Sequence, residues 1–316
     1  MSTPTEPVDA AFPFNHPKAD VIIRSSDQVD LRMFRLLLSL ASPVFETTFA
    51  LPQPQPPSPI HSASDSNSDF KDGLLVVHLS EDSKTLRVFL GHCLPVTIAN
   101  KPELKTLEDV AAMLELSTKY EAQELEKKAR KALAGPQFME APLRVFAVAC
   151  RFGLKPEAMA AVQYALCEPL TDIPDVKEME FISARDFGRL QNYHTRYGAA
   201  AQALLESTGW LDRARRLVVR DYHEVHTGSV CKGYKDDAGI PRWWNAYVED
   251  AIPRVQVTPC KVILSEKLKR TVNEIYAPCR SCEYMALEAI QQLSCGLQTA
   301  VGVFAKTLQI KLDLGF

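Results

Sequence analysis

The residues whose types and spacing could do chemistry gather toward the C-terminus. Cys279 and Cys282 stand two residues apart, just after Ala277-Pro278. Two thiolates at that spacing can grip one ion from a tight loop, and tetrahedral zinc then needs two more ligands from elsewhere. His226 and Cys231 are the expected complement, with His223 a close competitor and Cys260 a weaker one. Gly228, inside His226-Thr227-Gly228-Ser229-Val230-Cys231, lets a short loop turn back on itself. The expectation is one structural zinc per chain on His226, Cys231, Cys279 and Cys282. Such an ion would contribute on the order of 10 kcal/mol to folding. The plainer reading of the same residues is reduced cysteines beside a helix start.

An enzymatic reading has less to stand on. A C-x-x-C at a helix N-terminus can form a redox pair, because the helix lowers a thiol pKa. That motif belongs in a β-rich thioredoxin-like setting, and the pattern around Cys279 is helical. His223-Glu224-Val225-His226 is one residue short of the spacing that H-E-x-x-H uses to put both imidazoles on one helical face. The chain has no G-x-G-x-x-G, P-loop or G-x-S-x-G. His16, His61, His78, His92 and His194 are scattered and read as surface or satisfied core residues. No catalytic residues are expected.

Helices must position the cysteine pair. Met285, Ala289, Leu293, Leu297, Val301, Phe304, Leu308 and Leu312 recur in steps of three and four, predicting one long amphipathic helix. Its apolar stripe needs partners, and the candidates are a helix with Trp243, Trp244, Tyr247, Val248 and Ile252 and another near Ser265 to Ile275. Upstream, residues 140 to 220 read as an array of short helices. Pro142 opens one that Gly153 closes, another follows Lys155-Pro156, and a third carries Tyr193, Tyr197, Ala201 and Leu204 on one side. Cys150 and Cys167 fall in apolar helical surroundings and read as core.

The first third of the chain is built differently. Asp20-Val21-Ile22-Ile23-Arg24 is a short β-branched run, and Val29, Leu31 and Met33 alternate with polar Asp30 and Arg32. Two strands joined by Ser25-Ser26-Asp27-Gln28 make a hairpin. Leu36-Leu37-Leu38-Ser39-Leu40 follows, then Ser42-Pro43 in the arrangement of a helix cap. Leu74 to Leu79 reads as a third strand, and helices fill 83 to 133. Thr106-Leu107-Glu108-Asp109 has the capping-box form. Leu125, Ala129 and Leu133 share one face of a helix whose other faces are charged, and Gly135-Pro136 ends it. Two stretches lack a core pattern. Residues 1 to 18 hold four prolines and are expected as a disordered tail. Residues 50 to 72, with five prolines and then spaced serines, are expected as a disordered insertion.

In this region the chain resembles the BTB/POZ domain. The resemblance rests on Ala19-Asp20-Val21, Leu38 through Ser42-Pro43-Val44-Phe45, Phe49, Phe89-Leu90, Val110 through Leu114, Leu116 and Lys119-Tyr120. It covers residues 19 to 134, over a third of the chain. Met33-Phe34-Arg35 stands where many members carry a histidine, and Pro13 and Pro17 break the segment where some carry an extra strand. From Tyr193-His194 onward the chain is similar to the tail of a group of fungal BTB proteins, with a Trp-Trp-x-x-Tyr helix between Cys- or His-bearing loops and a C-x-x-C. The resemblance implies an α+β interaction module of a small sheet with helices, followed by a mainly α-helical region. It implies a non-catalytic scaffold with protein partners, a homodimer, and in many members an adaptor joining a substrate to a cullin-type ubiquitin ligase. A transcription-associated scaffold is the alternative.

Composition sets outer bounds. At 316 residues the chain has room for two domains or more, and apolar residues make up 46%. A net charge of −3 gives no reason to expect nucleic-acid binding through phosphate contacts. The first residues lack a basic start and an apolar run, and no stretch approaches the ~20 apolar residues of a membrane span. An intracellular protein of cytoplasm or nucleus is expected, without nucleic-acid or membrane partners. Its eight cysteines then read as thiols or metal ligands, not as a disulfide framework. Four regions are expected: the tail 1–18, the α+β domain 19–134 with its insertion 50–72, a helical extension 140–220, and a helical C-terminal region 221–316.

Overall fold

The structure, a computed structural model, describes residues 6–52, 69–170, 175–207, 209, 240–260, 265–276 and 280–314. The chain divides into two compact units, Met1–Phe138 and Met139–Phe316. The described residues form five strands and eleven α-helices, a mixed α+β protein that is mostly helical. No described helix is long and apolar enough to cross a membrane.

The first unit is organised around β2 (Val21–Arg24), whose four residues are all buried. It pairs antiparallel with β3 (Val29–Met33) through the expected hairpin, and parallel with β5 (Leu74–His78) on its other side. A strand flanked on both sides reads as a continuous apolar run, which explains Val21-Ile22-Ile23. The hairpin turn is closed by the Val29 N–H donating to Ser25 Oγ at 2.9 Å. Two further strands complete the order β1-β3-β2-β5-β4. β1 (Val8–Asp9) runs parallel to β3, and β4 (Phe70–Lys71) antiparallel to β5. Both lie where no structure was expected. Residues 6–18 of the expected tail are tied down by β1 and by buried Ala10 and Phe14. The insertion yields its end to β4, and its interior, residues 53–68, lies outside the described residues.

Two helices of this unit, α2 and α4, start at the caps read from the sequence. The Arg35 N–H at the start of α1 (Arg35–Ala41) donates to Asp20 Oδ1 at 2.8 Å. Ser42 Oγ accepts from Phe45 N–H at 3.2 Å to start α2 (Pro43–Ala50), and its hydroxyl also donates to the Tyr120 carbonyl. Phe45 and the Tyr120 ring stack at 4.8 Å, so one cap joins residues far apart in the chain. α3 (Ser83–Cys93) opens at Asp82. α4 (Leu107–Lys119) opens with the capping box of Thr106 and Asp109. α5 (Gln123–Leu133) buries Leu125, Ala129 and Leu133.

The second unit takes in both helical regions distinguished in the sequence. α6 (Pro142–Arg151) and α7 (Lys155–Ala165) form a hairpin whose turn uses Gly153 at φ +65°. A 3₁₀ turn at Lys177–Phe181 is held to α6 by an Arg144–Glu178 ion pair, and Arg151 lies 4.4 Å over the Phe181 ring. α8 (Ala184–Glu206) then packs against α9 (Trp244–Val257) and α11 (Arg280–Thr307). α10 (Glu266–Tyr276) packs mainly on α11. Trp243 and Tyr247 are fully buried.

The long helix differs from its expected stripe. α11 ends at Thr307, leaving Leu308 half-exposed and Leu312 beyond its end. Cys282, Ala286, Ile290 and Ala305 join Ala289, Leu293, Leu297 and Val301 in the buried set. Each step of four overshoots a helical turn by about 40°, so a run of such steps winds off the face. Its main partners are α8 and α10, whereas the Trp-Trp helix packs chiefly on α8.

Candidate functional site

His223, His226, Cys231 and Cys279 lie outside the described residues. Cys282 is buried in the first turn of α11. Among the described residues no three His, Cys, Asp or Glu side chains are placed to hold a metal. That leaves the expected quartet untouched, since three of its four members are not described. Cys260 sits in the turn after α9 beside Cys167 and Tyr197. Two of the scattered histidines are satisfied core residues. His194 Nε2 lies 3.1 Å from the Glu168 carbonyl and His92 Nδ1 lies 2.9 Å from the Val88 carbonyl, and burial holds both imidazoles below their usual pKa.

The first unit offers a different kind of feature. α1 has seven residues and fully buries only Leu38. Leu36 and Leu40, one turn apart on the same face, are 68% and 77% exposed. Val8 on edge strand β1 and Phe12 just after it are also exposed. Large apolar side chains scattered singly are ordinary on a surface. A pair at i and i+4 on a short helix makes a small apolar face that another polypeptide could cover. The run Leu36-Leu37-Leu38-Ser39-Leu40 is apolar on nearly every side, so its pattern alone could not say which leucines the core would leave out.

Polar residues hold the strands of the sheet together. Arg24 and Asp30 face each other across the hairpin, with Arg24 Nε donating to Asp30 Oδ1 at 2.6 Å and Nη2 to Oδ2 at 3.0 Å. The Asp30 side chain is fully buried. Lys71 Nζ on β4 donates to Asp30 Oδ2 at 2.7 Å and to Asp9 Oδ1 on β1 at 2.8 Å. One charged chain thus joins both edge strands to the central hairpin. Reading Asp30 as the polar half of an alternating strand missed this. The four-residue turn read from the sequence would set Arg24 against Val29; Ser25 instead pairs with Val29, which moves Arg24 opposite Asp30. The available signal was chemical: an arginine closing an apolar run needs a counter-charge.

The network makes a prediction for acid. Burial would push the Asp30 carboxyl up, but hydrogen bonds from Arg24 and Lys71, and their charges, hold it below the ordinary 3.8. Asp27 in the hairpin turn is lowered to about 2, chiefly by hydrogen bonds from the Ser25 and Ser83 side chains. A depressed carboxyl contributes stability above its unfolded pKa and loses it as pH falls through the folded one. The thermal midpoint of the first unit therefore holds from neutrality to about pH 4 and drops toward pH 2. An Asp27→Asn, Asp30→Asn protein, whatever its starting stability, should show a shallower drop across that interval. Burial lowers Lys71, hydrogen bonds to Asp30 and Asp9 raise it, and the net is a rise above 10.5. Its contribution is lost only as alkali passes that raised value.

Compared with models of known protein families and with curated proteins, the chain matches none.

Proposed function

We propose that this protein is a non-catalytic interaction scaffold whose first unit is a BTB/POZ domain. The observation that carries the reading is the exposed Leu36–Leu40 face of α1, a helix that packs on α2 and α3. The order of elements supports it: a hairpin, a helix pair, a strand returning parallel to the first, then three helices. The expected occupant of the α1 face is a second copy of the chain, giving a homodimer.

Light scattering of the full chain tests this. The wild type should run as a dimer, and Leu36→Asp with Leu40→Asp should weaken association by roughly a hundredfold or more, given the apolar area two leucines lose. Both side chains are exposed, so the variant's thermal midpoint at low concentration should stay near that of a wild-type monomer. A wild type that remains monomeric at high concentration removes the dimer.

In the ligase-adaptor form of this reading, the second unit captures a substrate while the first engages a cullin-type scaffold. A transcription-associated scaffold is the alternative. Affinity purification separates them, because cullin subunits should come down only with the adaptor. The zinc expectation rests on ligand type and spacing. One equivalent of zinc by elemental analysis, with Cys279→Ser lowering the thermal midpoint, would support it; zinc-free protein with an unchanged midpoint would remove it.

A further inference from the structure

Two cysteines of the second unit, far apart in sequence, are brought together by the fold. Cys167 follows the last turn of α7, and Cys260 lies in the turn after α9. The Cys260 N–H donates to the Leu166 carbonyl at 3.1 Å, and the Cys167 thiol donates to the Cys260 carbonyl at 3.3 Å. This reciprocal pairing fixes residue 260 against residues 166 and 167. With standard backbone dimensions, one hydrogen bond between these peptides leaves the two cysteine Cα atoms roughly 5–7 Å apart, the span a disulfide bridges. Neither cysteine is in a disulfide, and both are only partly buried.

The surroundings hold the pair in place. Gln298 of α11 donates to the same Cys260 carbonyl and pins the turn. Burial, and then the nearby Cys167 sulfur, push the Cys260 thiol up to about 12, while a hydrogen bond with the Tyr197 side chain acts the other way. That hydroxyl lies between Cys260 and α11, where a Cβ on Gly302 would meet it at 3.4 Å. Tyr197 thus sits where it can stabilise a thiolate formed at Cys260.

We propose that Cys167 and Cys260 are a redox-linked pair, closed by a small-molecule disulfide into an intrachain bond that locks the end of α7 to the turn after α9. In the first step the Cys167 thiolate attacks the small disulfide, forming a mixed disulfide and releasing one small thiolate, which takes up a proton. In the second the Cys260 thiolate attacks the Cys167 sulfur, with Tyr197 hydrogen-bonded to it, and expels the second small thiol. The protein gives up two electrons and two protons, and the small disulfide gains both.

The test uses the full chain and oxidised glutathione. After incubation at pH 8, remaining thiols are alkylated and the digest is read by mass spectrometry. The expected product is a peptide linking Cys167 to Cys260, absent from Cys167→Ser, together with a higher thermal midpoint in the oxidised wild type than in oxidised Cys167→Ser. Tyr197→Phe, which keeps the ring and removes the hydroxyl, should slow the linkage by roughly tenfold, the weight of one hydrogen bond. Glutathione retained on Cys167 with Cys260 still alkylatable would overturn the proposal. So would both thiols remaining unmodified, or a link that forms only in denaturant. The wild type alone decides these outcomes, so a misfolded variant cannot obscure them.

Discussion

Replacing Asp30 with alanine should lower the stability of the first unit by about 3–5 kcal/mol, the cost of leaving one member of a buried ion pair uncompensated. Arg24 and Asp30 side chains are 6% and 0% exposed, so the arginine has no ready access to water once its partner is gone. Lys71, at 28% exposure, can turn outward and limits the loss to the Arg24 side. The sheet should suffer at both edges, because β1 and β4 are held through the same carboxylate chain. A second variant separates removal of a partner from removal of the pair. Arg24→Met with Asp30→Leu replaces both charges by apolar groups of similar size and should recover most of the loss. Urea unfolding measures each. A loss below about 1 kcal/mol for Asp30→Ala, the size typical of an exposed pair, would mean that water reaches the site.

The second large effect sits at a helix crossing. A Cβ added to Gly198 of α8 would lie 2.9 Å from the Gln256 carbonyl carbon and nearer still to its oxygen. These are backbone atoms of α9 and cannot swing aside as a side chain does. Gly198→Ala should therefore destabilise the second unit by roughly 2–3 kcal/mol through overpacking, despite the ~1 kcal/mol that alanine gains in helix propensity. Gly188 on the same helix provides the control, since a Cβ there meets nothing within 4 Å. Gly188→Ala has only the propensity term and should stabilise by up to ~1 kcal/mol. Opposite signs on one helix, read from denaturant midpoints, would assign the effect to the α8–α9 approach. Equal signs would remove that assignment.

These two sites show what was and was not legible in the sequence. Features fixed by local chemistry were readable: the Thr106–Asp109 capping box, the Ser42-Pro43 helix start, Gly153 at a helix end and the Ser25–Gln28 hairpin turn. Features fixed by what the fold brings together were not. Gly198 looks like an ordinary helical glycine until Gln256 arrives from another helix. Asp30 looks like a solvent-facing strand residue until register sets it against Arg24. β1 and β4 have two residues each, too few for any periodicity, and ion pairs from Lys71 recruit them. The exposed face of α1 lay hidden because its leucines outnumber those the core can take. The Cys279–Cys282 pair was conspicuous by spacing, but Cys167 and Cys260 were not, because their approach depends on a backbone hydrogen bond between distant turns.

The parallel pairing of β2 with β5 also bears on how the chain emerges during synthesis. β2 meets β3 at once across a tight turn, whereas Val21 must wait for Leu75. A nascent chain that ends between them holds only β1, β3 and β2, and β1 adds just two residues to a hairpin that is marginal in water by itself. Its open side carries Val21, Ile22 and Ile23, an apolar edge that invites strand addition from neighbouring chains. Until His78 clears the ribosomal exit tunnel, that edge stays unsealed and open to misassembly.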